Sequence, residues 1–235
     1  MKLSLIVPMY NEAAIIADSA RTYFEYLSTH FEEFELIFVD DGSSDDCAAR
    51  VEALQLPDTQ VIRYTPNQGK GNAVRTGMLA ATGDVRMFLD ADVAYGTEVI
   101  GRAAALFAEH PEKDLVIGSR PIHPEGYAGY TPLRKLASAT YIKVLNLVGG
   151  FRLSDSQCGC KAYRGAVADL IFARTETKGF AFDFETILWA QKLGCGILEM
   201  PVKIINHRAS KVHVFRDTFR MLKELRAIKK RVQKE

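Results

Sequence analysis

Asp90 and Asp92 are separated by one small residue and follow Val85-Arg86-Met87-Phe88-Leu89, which apart from Arg86 reads as a short buried strand. On an extended backbone, residues two apart point to the same side, so the two carboxylates would converge on one site. Like charges this close repel, and a divalent cation or a donor-rich ligand relieves the repulsion. Ligands of open α/β sheets bind beyond the carboxyl ends of the strands, where this pair would sit. A solvated turn uses the same residue types, so the meaning of the pair depends on its surroundings.

Three further loops should reach the same edge: Pro8 to Glu12, Asp40 to Asp45, and Asn67 to Asn72. Together they bring glycines, carboxylates, Lys70 and helix N-termini. Exposed amides at helix N-termini suit anions, yet the acidic residues would repel a bare phosphate. A divalent cation bridging carboxylate to diphosphate reconciles the two. Asp40 or Asp41 could accept a hydrogen bond from a uracil or a ribose. Neither a Gly-x-x-x-x-Gly-Lys-Ser/Thr loop nor a Gly-x-Gly-x-x-Gly turn is present, so nucleotide-triphosphatase and dinucleotide readings lack their motifs. A hydroxyl acceptor would require a carboxylate base, for which Asp155, Asp183 and Glu185 are candidates. The alternative for the latter two is support of the helix they begin. The five histidines are scattered and receive no role.

The elements that must position these residues follow from periodicity. Buried strands are expected at 3–8, 34–39, 61–64, 85–89 and 115–118, with helices at 13–28, from about 67–72 to 81, and at 97–109. Gly42 makes the turn after the second strand, and Ser43 or Ser44 is the expected cap of the helix that follows. Alternation of this kind indicates an α/β fold, a largely parallel sheet with helices on both faces. Residues 120–132, rich in proline, glycine and tyrosine, read as a loop. Helix 133–148 stops at Gly149-Gly150, a polar turn spans 155–161, helices follow at 165–173 and 183–193, and a strand at 197–205.

A length of 235 residues with 48% hydrophobic content is ample for one large domain with an appendage. The four cysteines (Cys47, Cys158, Cys160, Cys195) form no ligand pattern, and reduced cytosolic thiols are expected. The N-terminal apolar run is broken by Pro8, Asn11 and Glu12 and is no signal peptide. No apolar run approaches the roughly 20 residues that span a bilayer. The net charge of +1 hides an asymmetry: from Met200 onward there are 11 Lys+Arg against 3 Asp+Glu, and before it 19 against 26. A basic tail on an acidic body is expected to meet membrane headgroups or nucleic acid. The helix expected at 215–232 has an apolar face and a basic one. It is read as lying in a headgroup layer, against the alternative of packing on the body.

Taken together, Val7-Pro8-Met9-Tyr10-Asn11-Glu12, Val39-Asp40-Asp41-Gly42-Ser43-Ser44-Asp45, Asn67-Gln68-Gly69-Lys70-Gly71-Asn72-Ala73 and Asp90-Ala91-Asp92 resemble the successive signatures of family-two inverting glycosyltransferases of the GT-A fold. Within that group the chain is similar to dolichyl- or polyprenyl-phosphate sugar synthases, and most to dolichyl-phosphate β-glucosyltransferases. The narrower match rests on Gly118-Ser119-Arg120, Leu133-Arg134-Lys135, Asp155-Ser156-Gln157-Cys158-Gly159-Cys160-Lys161, Phe180-Ala181-Phe182-Asp183-Phe184-Glu185 and Ser210-Lys211-Val212. The resemblance covers nearly the whole chain.

It implies a Rossmann-like GT-A domain over 1–212, with a nucleotide-sugar half to about 118 and an acceptor half beyond, followed by a tail helix at 213–235. It implies that Pro8, Tyr10, Glu12, Asp41 and Lys70 hold the nucleotide. Asp90 and Asp92 would form the Asp-x-Asp site, with Asp92 the direct ligand of Mg²⁺ or Mn²⁺. Arg120 and Arg134 would bind the acceptor's phosphate, Gln157 would lie near the sugar or metal, and Ser210 with Lys211 would close over the diphosphate. Mannosyl-transferring relatives often carry a Gln two residues after the second aspartate. Here Val93-Ala94 follows, which favours UDP-glucose over GDP-mannose. The expectation is glucosyl transfer to a polyprenyl phosphate at the cytoplasmic face of a membrane, with no nucleic-acid partner.

Overall fold

The computed structural model describes residues 1–206 and 218–234. In chain order these form β1 (Leu3–Met9), α1 (Ile16–His30), β2 (Phe34–Asp40), α2 (Cys47–Glu52), β3 (Thr59–Arg63), α3 (Lys70–Ala80), β4 (Val85–Leu89), α4 (Glu98–Glu109) and β5 (Leu115–Ser119). Then come α5 (Pro132–Gly149), β6 (Cys160–Arg164), α6 (Gly165–Arg174), α7 (Phe182–Lys192), β7 (Ile197–Pro201) and α8 (Thr218–Lys234). The strands make one sheet in the order β3-β2-β1-β4-β6-β5-β7. All pairings are parallel except those of β6, which runs antiparallel between β4 and β5.

Both faces of the sheet are covered, and side-chain alternation divides the core into two. Leu3, Leu5 and Val7 of β1, Leu36 and Phe38 of β2, and Val85, Met87 and Leu89 of β4 pack under α1, α2 and α4. Ile6, Ile37, Val39 and Phe88, the intervening residues, pack under α3, α6 and α7 on the other face. That is why the strands read as continuous apolar runs: each side chain meets a helix whichever way it points. Arg86 is the exception among them. Its guanidinium grips the Asp169 carboxylate at 2.6 and 3.2 Å and donates to the Met78 carbonyl at 2.8 Å, so the buried charge is paired.

Three expectations are corrected. The polar turn at 155–161 ends in a strand: Cys160 and Lys161 already belong to β6, inserted antiparallel at the centre of the sheet. The cap of α2 is not Ser43 or Ser44: the helix starts at Cys47, after Asp46, and the Cys47 amide donates to Asp45. Where its side chains are described, the apolar face of the tail helix packs on the body and not toward a bilayer; Phe215 lies outside the described residues. Leu225, Ile228 and Val232 of α8 are buried in the second core, against α5 and α7. Lys229 donates to the Val148 carbonyl and Lys192 to that of Val232, and Arg231 pairs with Glu185 and Glu176. A helix amphipathic enough for an interface has met the body's own apolar surface first.

Candidate active site

Parallel pairing of β2, β1 and β4 brings their carboxyl ends to one edge. Met9 lies beside Asp40 in register, and Ile6 beside Phe88, so β4 ends just short of β1. The loops leaving this edge are tied together. The amide of Asn11 donates to Ser43 Oγ, the amide of Ser44 to Asn11 Oδ1, and the amide of Ala13 to Asp45. Both Asn11 (φ 52°) and Gly42 (φ 70°) are left-handed, so each chain turns sharply off its strand. Pro8 is the last residue but one of β1, Tyr10 is exposed on the loop after it, and Glu12 is half-buried, its carbonyl starting the turn into α1.

Asp41, expected to hold the nucleotide, lies at this edge and accepts four hydrogen bonds from the loop before α3. Its Oδ1 accepts from Tyr64 Oη at 2.7 Å and the Gln68 amide at 2.8 Å. Its Oδ2 accepts from Asn67 Nδ2 and the Gly69 amide, both at 2.8 Å. With four donors the carboxylate is saturated, and it shapes the loop that launches α3. Asp40 caps its own turn by accepting from the Ser43 amide at 3.0 Å and lies 3.8 Å from Arg63.

That loop delivers Lys70, the first residue of α3, to Asp90, with Nζ 2.5 Å from Oδ1. Burial works against the ammonium, but Asp90 and then Asp183 outweigh it and hold its pKa above the ordinary lysine value. Tyr23 of α1 fixes the backbone at the same point, donating to the Asp90 carbonyl at 2.8 Å. Its burial, reinforced by Asp90 and Asp92, drives the phenol's pKa well up, so it remains a donor. Gly159 lies against the Asp90 carboxylate: a Cβ there would collide with Oδ2, so only glycine admits the 155–159 loop this close. Asp92 folds into a tight turn, accepting from the Ala94 amide at 3.2 Å, while its carbonyl takes a bond from Asn206.

Among the described residues no group of three or more His, Cys, Asp and Glu side chains could hold a metal ion. Asp90 and Asp92 by themselves offer at most a pair of hard oxygen donors. Mg²⁺ and Mn²⁺ suit such a pair, because they complete their shell with substrate phosphates and water. The Lys70 ammonium on Asp90 shows that this position already accommodates a positive charge.

Beyond β5, Arg120 is clasped by Asp155, Nε to Oδ2 at 2.6 Å and Nη2 to Oδ1 at 2.9 Å. The carboxylate is fully buried and the guanidinium nearly so (0% and 13% exposed), so the charge of Arg120 is already offset. The remaining Nη1 lies 3.3 Å from Tyr130 Oη. Arg134, exposed in the first turn of α5, stacks over the ring of the same tyrosine at 4.0 Å. Tyr130, which drew no attention in the sequence, thus joins the two arginines. Gln157 is half-buried, its amide donating to Asp155 and its Nε2 to the Ser156 carbonyl. Ser210 and Lys211 lie outside the described residues.

Each candidate base holds a cation. Asp155 holds Arg120; Glu185, fully buried, accepts from the amides of Glu176 and Thr177 and from Arg231. Asp183 makes a short bond to the buried ammonium of Lys161. Burial pushes the Asp183 carboxyl up, and Lys161 and Lys70 only partly offset it. Lys161 was read as the end of a polar turn; the signal available was a lone lysine before the apolar Ala162-Tyr163, a position that once buried requires a counter-ion.

Comparison with known proteins adds the following. Residues 4–172 match the family described as Glycosyl transferase family 2. A dolichyl-phosphate beta-glucosyltransferase of Trichomonas vaginalis is 31% identical over 211 residues, covering 86% of this chain and 65% of that protein. A second from the same organism is matched over 63% of its length, so the chain spans a little under two thirds of these relatives. The dolichyl-phosphate beta-glucosyltransferase of Saccharomyces cerevisiae is 27% identical over 243 residues, 95% of this chain and 72% of that one. Among solved structures, glucosyl-3-phosphoglycerate synthase of Mycobacterium tuberculosis, in complex with Mn²⁺, UDP-glucose and phosphoglyceric acid, superposes with a TM-score of 0.69. It shares 19% identity over 99% of this chain and 80% of that one, a likeness of fold.

Proposed function

Since the chain belongs to glycosyl transferase family 2, we propose that it moves glucose, with inversion, from UDP-glucose to a polyprenyl phosphate, using Mg²⁺ or Mn²⁺. The observation that carries the reading is the Asp90–Asp92 pair at the end of β4, with Lys70 on Asp90 and the α3 N-terminus beside it. The likeness to dolichyl-phosphate beta-glucosyltransferases supports the donor sugar and the lipid acceptor.

Asp92, with Asp90 beside it, would hold the cation, which would neutralise the charge gathering on the departing diphosphate. Lys70 and the α3 N-terminus would face the same phosphates. Pro8, Tyr10 and Glu12 would line the nucleotide's side, with Asp41 acting through the loop it shapes. A phosphate acceptor is already ionised and attacks without a general base. This agrees with a site whose three candidate bases each hold a cation already. Arg134, the exposed member of the arginine pair, would draw the acceptor's phosphate in, and Arg120, fixed by Asp155, would orient Tyr130 and Arg134.

No helix among the described residues is long and apolar enough to cross a membrane. The surface we propose to meet the bilayer is the first half of α5, where Leu133 and Leu136 are exposed (65% and 66%) beside Arg134 and Lys135. The test is incubation with radiolabelled UDP-glucose, GDP-mannose and other nucleotide sugars plus a short polyprenyl phosphate, with and without EDTA. EDTA-sensitive transfer from UDP-glucose is expected; lipid product from no donor would refute the proposal.

A further inference from the structure

The loop between α6 and α7 (175–181) is held from two sides by parts of the chain far apart in sequence. On one side stands the first turn of α3. The Lys178 carbonyl accepts from the Asn72 amide at 3.1 Å, and Lys178 Nζ donates to Gln68 Oε1 at 2.7 Å. The fit is close enough to need glycine twice. A Cβ at Gly69 would lie 2.6 Å from the Lys178 carbonyl oxygen, and one at Gly71 would lie 2.5 Å from that of Thr177. On the other side stands α8. Glu185 Oε2 accepts from the amides of Glu176 and Thr177 at 3.2 and 2.7 Å, while Oε1 accepts from Arg231 Nη2 at 2.7 Å. The same Nη2 reaches Thr177 Oγ1 at 3.1 Å, and Nη1 lies 3.4 Å from Glu176.

Glu185 is fully buried, and a buried carboxylate must be paired. Arg231 is the cation paired with it. Without Arg231 the carboxylate would be stranded, and turning it toward water would take the acceptor from both loop amides. The loop would then lose its seat on α3, whose first residue, Lys70, contacts Asp90 at 2.5 Å. We propose that Arg231 of the C-terminal helix is a positioning residue for the donor site: by keeping Glu185 on the 176–177 amides, it seats the loop that sets the first turn of α3 for the diphosphate. The tail helix is then part of the catalytic domain and not an appendage to it. The proposal rests on the reading of the α3 N-terminus as a phosphate site given above.

The test is UDP binding to the full chain, measured by isothermal titration calorimetry in Mn²⁺. Arg231→Met should weaken UDP about tenfold, as misplacing a group far from the chemistry does. Adding Glu185→Gln removes the stranded charge and leaves an oxygen for the two loop amides, so affinity should return to within about threefold of the unaltered chain. Arg164→Met is the control for lost stability alone. It frees the carbonyls of Phe107 and Lys113 at the opposite edge of the sheet and should change UDP affinity by less than about twofold. Hydrogen exchange of the Asn72 amide, read without nucleotide, should quicken in Arg231→Met and slow again in the double variant. Unchanged UDP affinity in Arg231→Met, no recovery in the double variant, or an equal loss in Arg164→Met overturns the role of Arg231 while leaving the donor site standing. No UDP binding by the unaltered chain overturns the phosphate reading of α3 and the proposal with it. Should Arg231→Met fail to fold by circular dichroism, Arg231→Met with Glu185→Leu takes its place, leaving neither a buried charge nor an acceptor. That variant should show the same tenfold loss, and affinity equal to that of the Gln-bearing double variant overturns the proposal.

Discussion

Asp155 and Asp92 are both carboxylates at the end of a turn, yet their partners assign them opposite work. Asp155 is sealed against Arg120, and removing one half of such a pair strands a buried charge. Asp155→Ala should therefore cost about 3–5 kcal/mol of stability, measured by urea denaturation. Asp92 is expected to act on the reaction instead. Asp92→Asn should leave the denaturation midpoint near that of the unaltered chain and lower turnover with UDP-glucose by about 10²–10³-fold, the scale of losing one group that stabilises developing charge. The thiols beside this site supply a pH signature. Burial, then the charge of Asp155, pushes Cys158 up to about 11, and burial raises Cys160 well above the ordinary thiol value. A pKa raised on folding means that the unfolded chain loses its proton first. The stability these thiols contribute is thus whole below about pH 8.5, the ordinary thiol value, and drains away as pH rises toward 11. Denaturation midpoints measured from pH 8 to 11 should fall across that window and fall less in Cys158→Ala. Native Cys158 should resist iodoacetamide at pH 8.

At the scale of elements, legibility depended on whether a partner could be inferred locally. β4 and the aspartates closing it were readable because continuous apolar burial and an abrupt polar end are both local signals. β6 was not, because Cys-Lys-Ala-Tyr carries a lysine whose counter-ion lies 22 residues away on α7. The amphipathicity of α8 was legible, but the same pattern serves a core and a bilayer, and only the fold decides that Leu225, Ile228 and Val232 are buried. Leu225→Ala should accordingly destabilise the chain by about 2–5 kcal/mol in urea. Replacing both Leu133 and Leu136 of α5 with serine should have little effect on that midpoint, since both are exposed. The same change should weaken sedimentation with anionic vesicles several-fold if this face meets lipid.

For the whole molecule, the strand order places every loop named from the sequence at one edge or its flank, with β6 and β7 joined to the sheet that β1 to β5 begin. The fold was legible because β1, β2, β4 and β5 are largely apolar on both faces and punctuated by polar turns. The hydrogen-bond partners of Asp41 were not, since contact with Tyr64, Asn67, Gln68 and Gly69 follows from how a distant loop returns. The acidic body and basic tail seen in the charge count are brought into contact where Arg231 meets Glu185 and Glu176, so part of that asymmetry is spent inside the fold. What the molecule is built to hold is tested most directly by anomalous diffraction at the manganese edge, from crystals grown with UDP-glucose and Mn²⁺. A single peak beside the Asp92 carboxylate and the diphosphate is the predicted result. A bound nucleotide with no peak near the pair would contradict the account.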